Sequence, residues 1–230
     1  MNLAIIPARA GSKRIPHKNT ADLCGKPLIA YTIEAALGAL SPGEVIVSTD
    51  CERVREVASR YGVMIHDRPA DLCTDQAQLE DVVGAALEWL MPERDPRAIL
   101  LLQPTSPLRG PARIAEALKL LPHDGYCESV VSVCELQHAQ WCGHIEDGEF
   151  RTHYRPAVRP RTQDVLPLYS ENGAIYGFHT ETFRAYKCRT GGRIHALVMD
   201  RIESVDIDTP DDLTLAARLL PLVYRDGGWL

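Results

Sequence analysis

Apolar residues follow two rhythms along this chain. Short runs without helical spacing occur at residues 3–6, 44–49, 63–66, 98–103, 129–133, 173–178 and 193–199. Each reads as a strand, and the unbroken Ala-Ile-Leu-Leu-Leu of 98–102 reads as a central strand buried on both faces. Between them, apolar positions recur every three or four residues. The segment 27–40 carries Leu28, Ile29, Ile33, Leu37 and Leu40, and 51–61 carries Val54, Val57 and Ala58. The segment 78–91 carries Leu79, Val82, Val83, Ala86, Leu87 and Leu90 and is closed by Pro92. These segments, with 114–121, predict amphipathic helices. Another helix is predicted from Thr209, where an N-cap, a first-turn proline and Asp212 stand in order, to about Leu220. Residues 221–230 are expected to be loosely held.

Strands alternating with helices at this spacing predict an α/β fold: a mostly parallel sheet with helices on both faces. Ligands of such sheets lie at the carboxyl ends of the strands. Polar clusters fall at those ends: residues 9–19, Ser48-Thr49-Asp50, Asp67-Arg68 and residues 103–109. They are expected to converge on one crevice. The pattern changes at 137–168, which is polar, rich in Arg and Pro and without helical period, with an Asp147-Gly148 turn signal. Residues 136–169 are therefore read as an inserted arm between two parts, 1–135 and 170–230, of a single α/β domain.

Composition narrows the function classes. A net charge of −6 argues against nucleic-acid binding and makes the cationic loop of residues 9–19 a local exception. The seven cysteines are odd in number and contain no C-x-x-C pair. With no secretory leader before Leu3, a reduced, cytoplasmic protein is expected. No apolar run is long enough to span a bilayer.

Three constellations carry chemistry. The loop after the first strand offers Arg9, Lys13, Arg14 and Lys18, with Gly11 and Ser12 permitting close backbone approach. Such a loop is suited to phosphates although no Walker or G-x-G-x-x-G pattern is present. Asp206 and Asp208, two apart on an expected strand, present both carboxylates to one face with Ile207 turned away. Paired hard oxygens suit Mg²⁺ shared with substrate phosphates, and Asp211 and Asp212 already supply the acidic start of the following helix. Gln103-Pro104-Thr105-Ser106-Pro107-Leu108-Arg109 is a rigid, hydroxyl-rich turn able to hold a polar ligand. A zinc set from Cys134, His138, Cys142 and His144 has no common ligand spacing.

Taken together, the blocks at residues 5–13, Lys18-Asn19, 24–28, 47–50, 103–109, 171–176 and 206–209 resemble the acylneuraminate cytidylyltransferases, the CMP-sialic acid synthetases. They occur in the family's order from the first strand to the last helix. The resemblance implies a three-layer, Rossmann-like nucleotidyltransferase sheet and an arm that forms a homodimer. It also implies the Mg²⁺-dependent reaction of CTP with a nonulosonic acid to give a CMP-sugar and pyrophosphate. Small-molecule partners are implied, an acidic sugar and CTP, with neither nucleic acid nor membrane.

Residue by residue, the resemblance assigns Arg9, Ser12, Lys18 and Asn19 to the nucleotide, with Lys18 bracing the triphosphate and Asn19 near the ribose and base. Arg68 falls at a further nucleotide-side position. Gln103 and Asn172 fall with the sugar site, Asp206 and Asp208 with the metal, and Lys18, Arg9 and Asp208 with catalysis. Residues 159–164 look like the family's arm segment, with Thr162 in place of an arginine. Arg161 and Gln163 would reach the acidic sugar, in the neighbouring subunit if the arm is exchanged. Two departures stand out: Ala10 replaces a commoner glycine, harmless at negative φ, and the arm lysine of many bacterial members has no counterpart in 135–144. Related enzymes for legionaminic, pseudaminic or deoxyoctulosonic acid are the enzyme alternative. The other is a non-catalytic nucleotide-sugar binder, against which the intact Asp206, Asp208 and Lys18 speak.

Overall fold

A computed structural model describes the chain except residues 92, 122–127 and 159–160. Pro92, expected to close a helix, and Arg159 and Pro160 of the arm segment lie outside the described residues. Seven strands form the main sheet: β1 (Asn2–Pro7), β2 (Val45–Thr49), β3 (Met64–Asp67), β4 (Ala98–Leu102), β5 (Ser129–Glu135), β6 (Tyr169–His179) and β7 (Ile194–Val198). Their order is β7-β5-β6-β4-β1-β2-β3, with β6 alone antiparallel to its neighbours. The parallel register sets Ile5 beside both Ile46 and Leu101.

Helices cover both faces, as the alternation predicts. They are α1 (Leu28–Leu37), α2 (Glu52–Arg60), α3 (Leu79–Leu90), α4 (Pro111–Lys119), α5 (Thr180–Tyr186) and α6 (Pro210–Leu219). Because successive strand residues face opposite ways, Ala4 and Ile6 pack with Ile29, Ile33, Val54 and Ile114 on one side. Leu3 and Ile5 pack with Val83, Leu87 and Phe183 on the other. The result is the three-layer α/β sandwich expected from the sequence.

A third apolar cluster fastens the site. Ile15 from the cationic loop, Leu108 from the turn after β4, and Ile207 from between the two aspartates pack with Leu23, Leu28 and Tyr31. Ile207 and Leu108 are fully buried. Burying one such side chain contributes about 1.5–3 kcal/mol, so the three polar segments are drawn together by their own apolar residues.

Four expectations change. Residues 205–208 are extended but form no ladder strand. The Ile207 amide instead donates to the Thr105 carbonyl at 2.8 Å, which keeps the alternation of Asp206, Ile207 and Asp208 without a sheet. Strand β6 starts four residues earlier than the apolar run and bulges between Glu171 and Tyr176, where Gly173 takes φ 73°. Helix α5, too short to show a period, was not expected. Residues 221–230 are held, not loose: Tyr224–Arg225 and Gly228–Trp229 form a hairpin through Asp226 and Gly227, both at positive φ. The Tyr224 hydroxyl donates to Glu34 at 2.8 Å, and its ring packs edge-on against Tyr31.

Between β5 and β6 the chain leaves the sheet. It makes a hairpin of Gly143–Glu146 and Glu149–Thr152, turning at Asp147 and Gly148, and short 3-10 turns, then rejoins where Tyr169 pairs with Glu135. No helix among the described residues is long and apolar enough to cross a membrane.

Candidate active site

The carboxyl ends of β1, β2, β3 and β4 open onto a crevice whose floor is the loop after β1. Lys18 lies in a 3-10 turn that begins after His17, a residue in the left-handed region. Its ammonium donates to the Ile207 carbonyl at 2.9 Å and to Asp208 at 3.0 Å. Arg14 reaches the other Asp208 oxygen, also at 3.0 Å. The loop and the aspartate segment, almost two hundred residues apart in sequence, are therefore bonded across the crevice.

Arg9 is turned toward Asp75, at 2.6 Å, and Lys13 pairs with the same carboxylate. These cations hold Asp75 below the usual carboxylate range. Asn19 donates to the Arg9 carbonyl at 3.0 Å, and the Ala10 amide donates to Asp50 at 2.7 Å. Ala10 is not among the residues at positive φ, so replacing glycine there costs no backbone strain. Ser12 lines the crevice with Arg9, Lys18, Asn19 and Asp208. Asp75 and Asp50 are site residues that the sequence reading did not single out as partners. No local spacing links them to the loop.

A second recess shares Arg9, Lys18 and Asn19 and adds Arg68 and Gln103. Arg68 is buried, and burial lowers its pKa. Its Nη2 donates to the Ser48 carbonyl at 2.9 Å and its Nε to the Ser48 hydroxyl at 3.3 Å. Gln103 lies against Gly173, where an added Cβ would meet the amide nitrogen at 3.5 Å. Arg109 is wholly buried and has no carboxylate partner among the described residues, donating to the carbonyls of Ala174 at 2.7 Å and Gln103 at 3.4 Å. Burial pushes its pKa down to about 9. It ties the turn after β4 to the bulge of β6.

Beyond Gln103 a wider recess is lined by Cys134, Glu171, Asn172, Gly173, Arg201 and Asp206. The Asn172 amide group is already engaged: its oxygen accepts from Ser132 at 2.6 Å and its nitrogen donates to Ser204 at 2.9 Å. It braces the recess more than it faces it. Burial first, and then the Asp208 charge, raise the pKa of Asp206, while a Thr105 hydrogen bond opposes them.

The aspartates are not needed as helix caps. Thr209 caps α6, accepting from the Asp212 amide at 3.3 Å, and Asp212 accepts from the Thr209 and Asp208 amides. Asp206 and Asp208, each lining one of the neighbouring recesses, are hard oxygen donors of the kind that would suit a divalent ion. Among the described residues no group of three or more His, Cys, Asp or Glu side chains could hold a metal ion. His144 turns to His153 at 3.1 Å, and His138 stacks on Trp141.

Arg161 and Gln163 stand elsewhere. Arg161 closes on Asp164 in its own turn, at 2.7 and 3.1 Å, and neither residue lines the three recesses of this single chain.

A protein-family model described as cytidylyltransferase matches residues 3–190. The CMP-N,N'-diacetyllegionaminic acid synthase of Legionella pneumophila is 38% identical, covering 96% of both chains. The N-acylneuraminate cytidylyltransferase of Streptococcus agalactiae is 37% identical over 91% of this chain, which spans 51% of that protein. Among solved structures, a CMP:2-keto-3-deoxy-manno-octonic acid synthetase complexed with CTP superposes with TM-score 0.70 at 20% identity, covering 96% of this chain and 98% of the other. That likeness concerns the fold.

Proposed function

This chain belongs to the cytidylyltransferase family, and we propose that it joins CMP from CTP to an acidic nonulosonic sugar, releasing pyrophosphate. The observation that carries the reading is the bonding of Lys18 to Ile207 and Asp208, which sets a phosphate-binding loop opposite a carboxylate pair. Arg9, Ser12 and Lys18 bind and orient the triphosphate, while Asn19 and Arg68 hold the nucleoside side. The sugar's anomeric oxygen attacks the α-phosphorus in line with departing pyrophosphate. Positioning and neutralisation of charge supply most of the acceleration.

Asp206 and Asp208 are the residues that would hold Mg²⁺, which when bound supplies neutralisation of phosphate charge. Lys18 and Arg14, which pair with Asp208 in this structure, would be available to the triphosphate if Asp208 held the ion. Gln103 and the recess beyond it take the acceptor. Gln103-Pro104-Thr105-Ser106-Pro107 resembles the sialic and legionaminic branch more than the pseudaminic or deoxyoctulosonic ones, and the relatives named for the first two acids support that branch.

The excursion 136–169 serves as a dimerisation arm. Leu166 is 87% exposed and Ile145 77%, with Phe150, Val158 and Leu168 also exposed. An apolar surface of this kind on a short arm calls for a partner, and a second copy would bring Arg161 and Gln163 to the acceptor recess. Consumption of CTP suits a cytoplasmic setting.

The test is pyrophosphate release from CTP and Mg²⁺ with a panel of nonulosonic acids. Release with sialic or legionaminic acid is expected. Release with pseudaminic acid alone would move the branch, and none with any acid would overturn the enzyme reading.

A further inference from the structure

Behind the nucleotide recess lies a buried polar chain that the reaction above does not use. Ser48, His66 and Arg68 are 0%, 3% and 8% exposed. Ser48 and His66 are register partners on β2 and β3, so their side chains leave the same face of the sheet. The His66 Nδ1 stands 3.0 Å from the Ser48 hydroxyl. That hydroxyl accepts from Arg68 Nε at 3.3 Å, and the Ser48 carbonyl accepts from Arg68 Nη2 at 2.9 Å. The third nitrogen, Nη1, makes no hydrogen bond to a described residue, and Arg68 lines the recess that holds Lys18, Asn19 and Gln103.

The Ser48 oxygen accepts from Arg68, which can only donate. In the His66 tautomer with its ring proton on Nε2, the single hydroxyl proton goes to a bare Nδ1. In that tautomer neutral His66 orients the serine lone pair at the guanidinium. Protonation would reverse this: Nδ1 would become a donor and add a second cation beside Arg68. The groups acting on the ring are Asp67 on its own strand, Arg68 just after that strand, the Ser48 hydroxyl from β2 and the Trp89 ring from α3. Burial first, then Arg68, lower the His66 pKa, with Asp67 opposing. The neutral form is thereby favoured near pH 7.

We propose that Ser48 and His66 are positioning residues that hold Arg68 in the orientation that binds the nucleotide, an inference resting on the reading of Arg68 as a nucleotide contact. A buried guanidinium with two bonds to one serine has its plane fixed before ligand arrives, which lowers the ordering cost of binding. None of Ser48, His66 and Arg68 lines the wider recess beyond Gln103.

Calorimetric titration of CTP and steady-state kinetics on four variants test this. Arg68→Gln should weaken CTP binding about tenfold or more. His66→Leu, which removes the acceptor, and Ser48→Ala should each raise the CTP Kd and KM about 3- to 10-fold, with KM for the acid sugar unchanged. His66→Asn, which returns an amide oxygen near the place of Nδ1, should recover CTP affinity to within about twofold. In the wild type, CTP affinity relative to His66→Asn should fall as pH drops below the ordinary histidine value of about 6.5.

If Arg68→Gln is impaired while His66→Leu and Ser48→Ala bind CTP as the wild type does, the positioning role is overturned and the site stands. Equal loss of affinity in His66→Leu and His66→Asn would also overturn it, by showing a packing role. If Arg68→Gln itself binds CTP normally, the assignment of Arg68 falls, and the proposal with it.

Discussion

The loop of residues 9–19 and the arm of residues 136–169 are both polar excursions from the sheet, yet they are secured in opposite ways. The loop is tied to distant elements: Lys18 to Ile207 and Asp208, Ala10 to Asp50, Arg9 and Lys13 to Asp75, with Ile15 buried beneath. The arm closes largely on itself. Arg161 pairs with Asp164, Arg151 with Glu149, and His144 with His153, while its apolar residues face outward. A segment whose bonds run to the sheet ends has its geometry set by one chain. A segment whose bonds run to its own neighbours keeps its outer face for something else. The half of the site proposed for the nucleotide is thus built from bonds within one chain, and the acceptor half is the part proposed to need a second copy.

The largest effect is expected from Asp208→Asn. It removes the carboxylate to which Lys18 and Arg14 converge, and turnover should drop by at least about 100-fold with CTP binding largely kept. Near-normal turnover in a pyrophosphate assay would remove Asp208 from the proposed metal pair. Next in size, Arg161→Ala should raise KM for the acid sugar about tenfold without changing KM for CTP, since a charged hydrogen bond to a carboxylate is at stake. An equal effect on both substrates would instead place the arm at the nucleotide.

The smallest expected effect concerns Asp206. Its folded-state pKa lies above the unfolded value, because burial and then Asp208 oppose ionisation against a Thr105 hydrogen bond. Its contribution to stability is therefore fully present below the unfolded carboxylate pKa and is lost as pH rises through the folded one. At neutral pH without metal, Asp206→Asn should raise Tm by about 1–3 °C, and Mg²⁺ should raise the wild-type Tm more than the variant's. A lowered Tm in the metal-free variant would contradict the sign.

Much of this was legible from residue order because it depends on local rhythm. Among the described residues, the seven sheet strands carry short apolar runs, five of six helices carry a helical period, and the Asp147-Gly148 hairpin carries a turn dipeptide. The same dipeptide at Asp226-Gly227 announces the terminal hairpin and was passed over; its flanking strands are only two residues each. The alternation of Asp206 and Asp208 has a different cause from the strand expected. Their alternation comes from an extended segment bonded to Thr105, not from a strand. What was not legible depends on contact between distant segments. Asp75 meets Arg9 across 66 positions, and Arg109 reaches Ala174 across 65. His66 meets Ser48 through the register of two parallel strands.

The most direct test of the division between a self-sufficient nucleotide site and a shared acceptor site is a CTP titration on an arm variant. Ile145→Asp with Leu166→Asp places charge on the two most exposed apolar positions of the arm and should yield a monomer by sedimentation. That monomer is expected to bind CTP within about twofold of the wild-type Kd while losing turnover of the acid sugar. A CTP affinity that falls in step with turnover would show that the crevice, too, depends on the second copy, and would contradict the account.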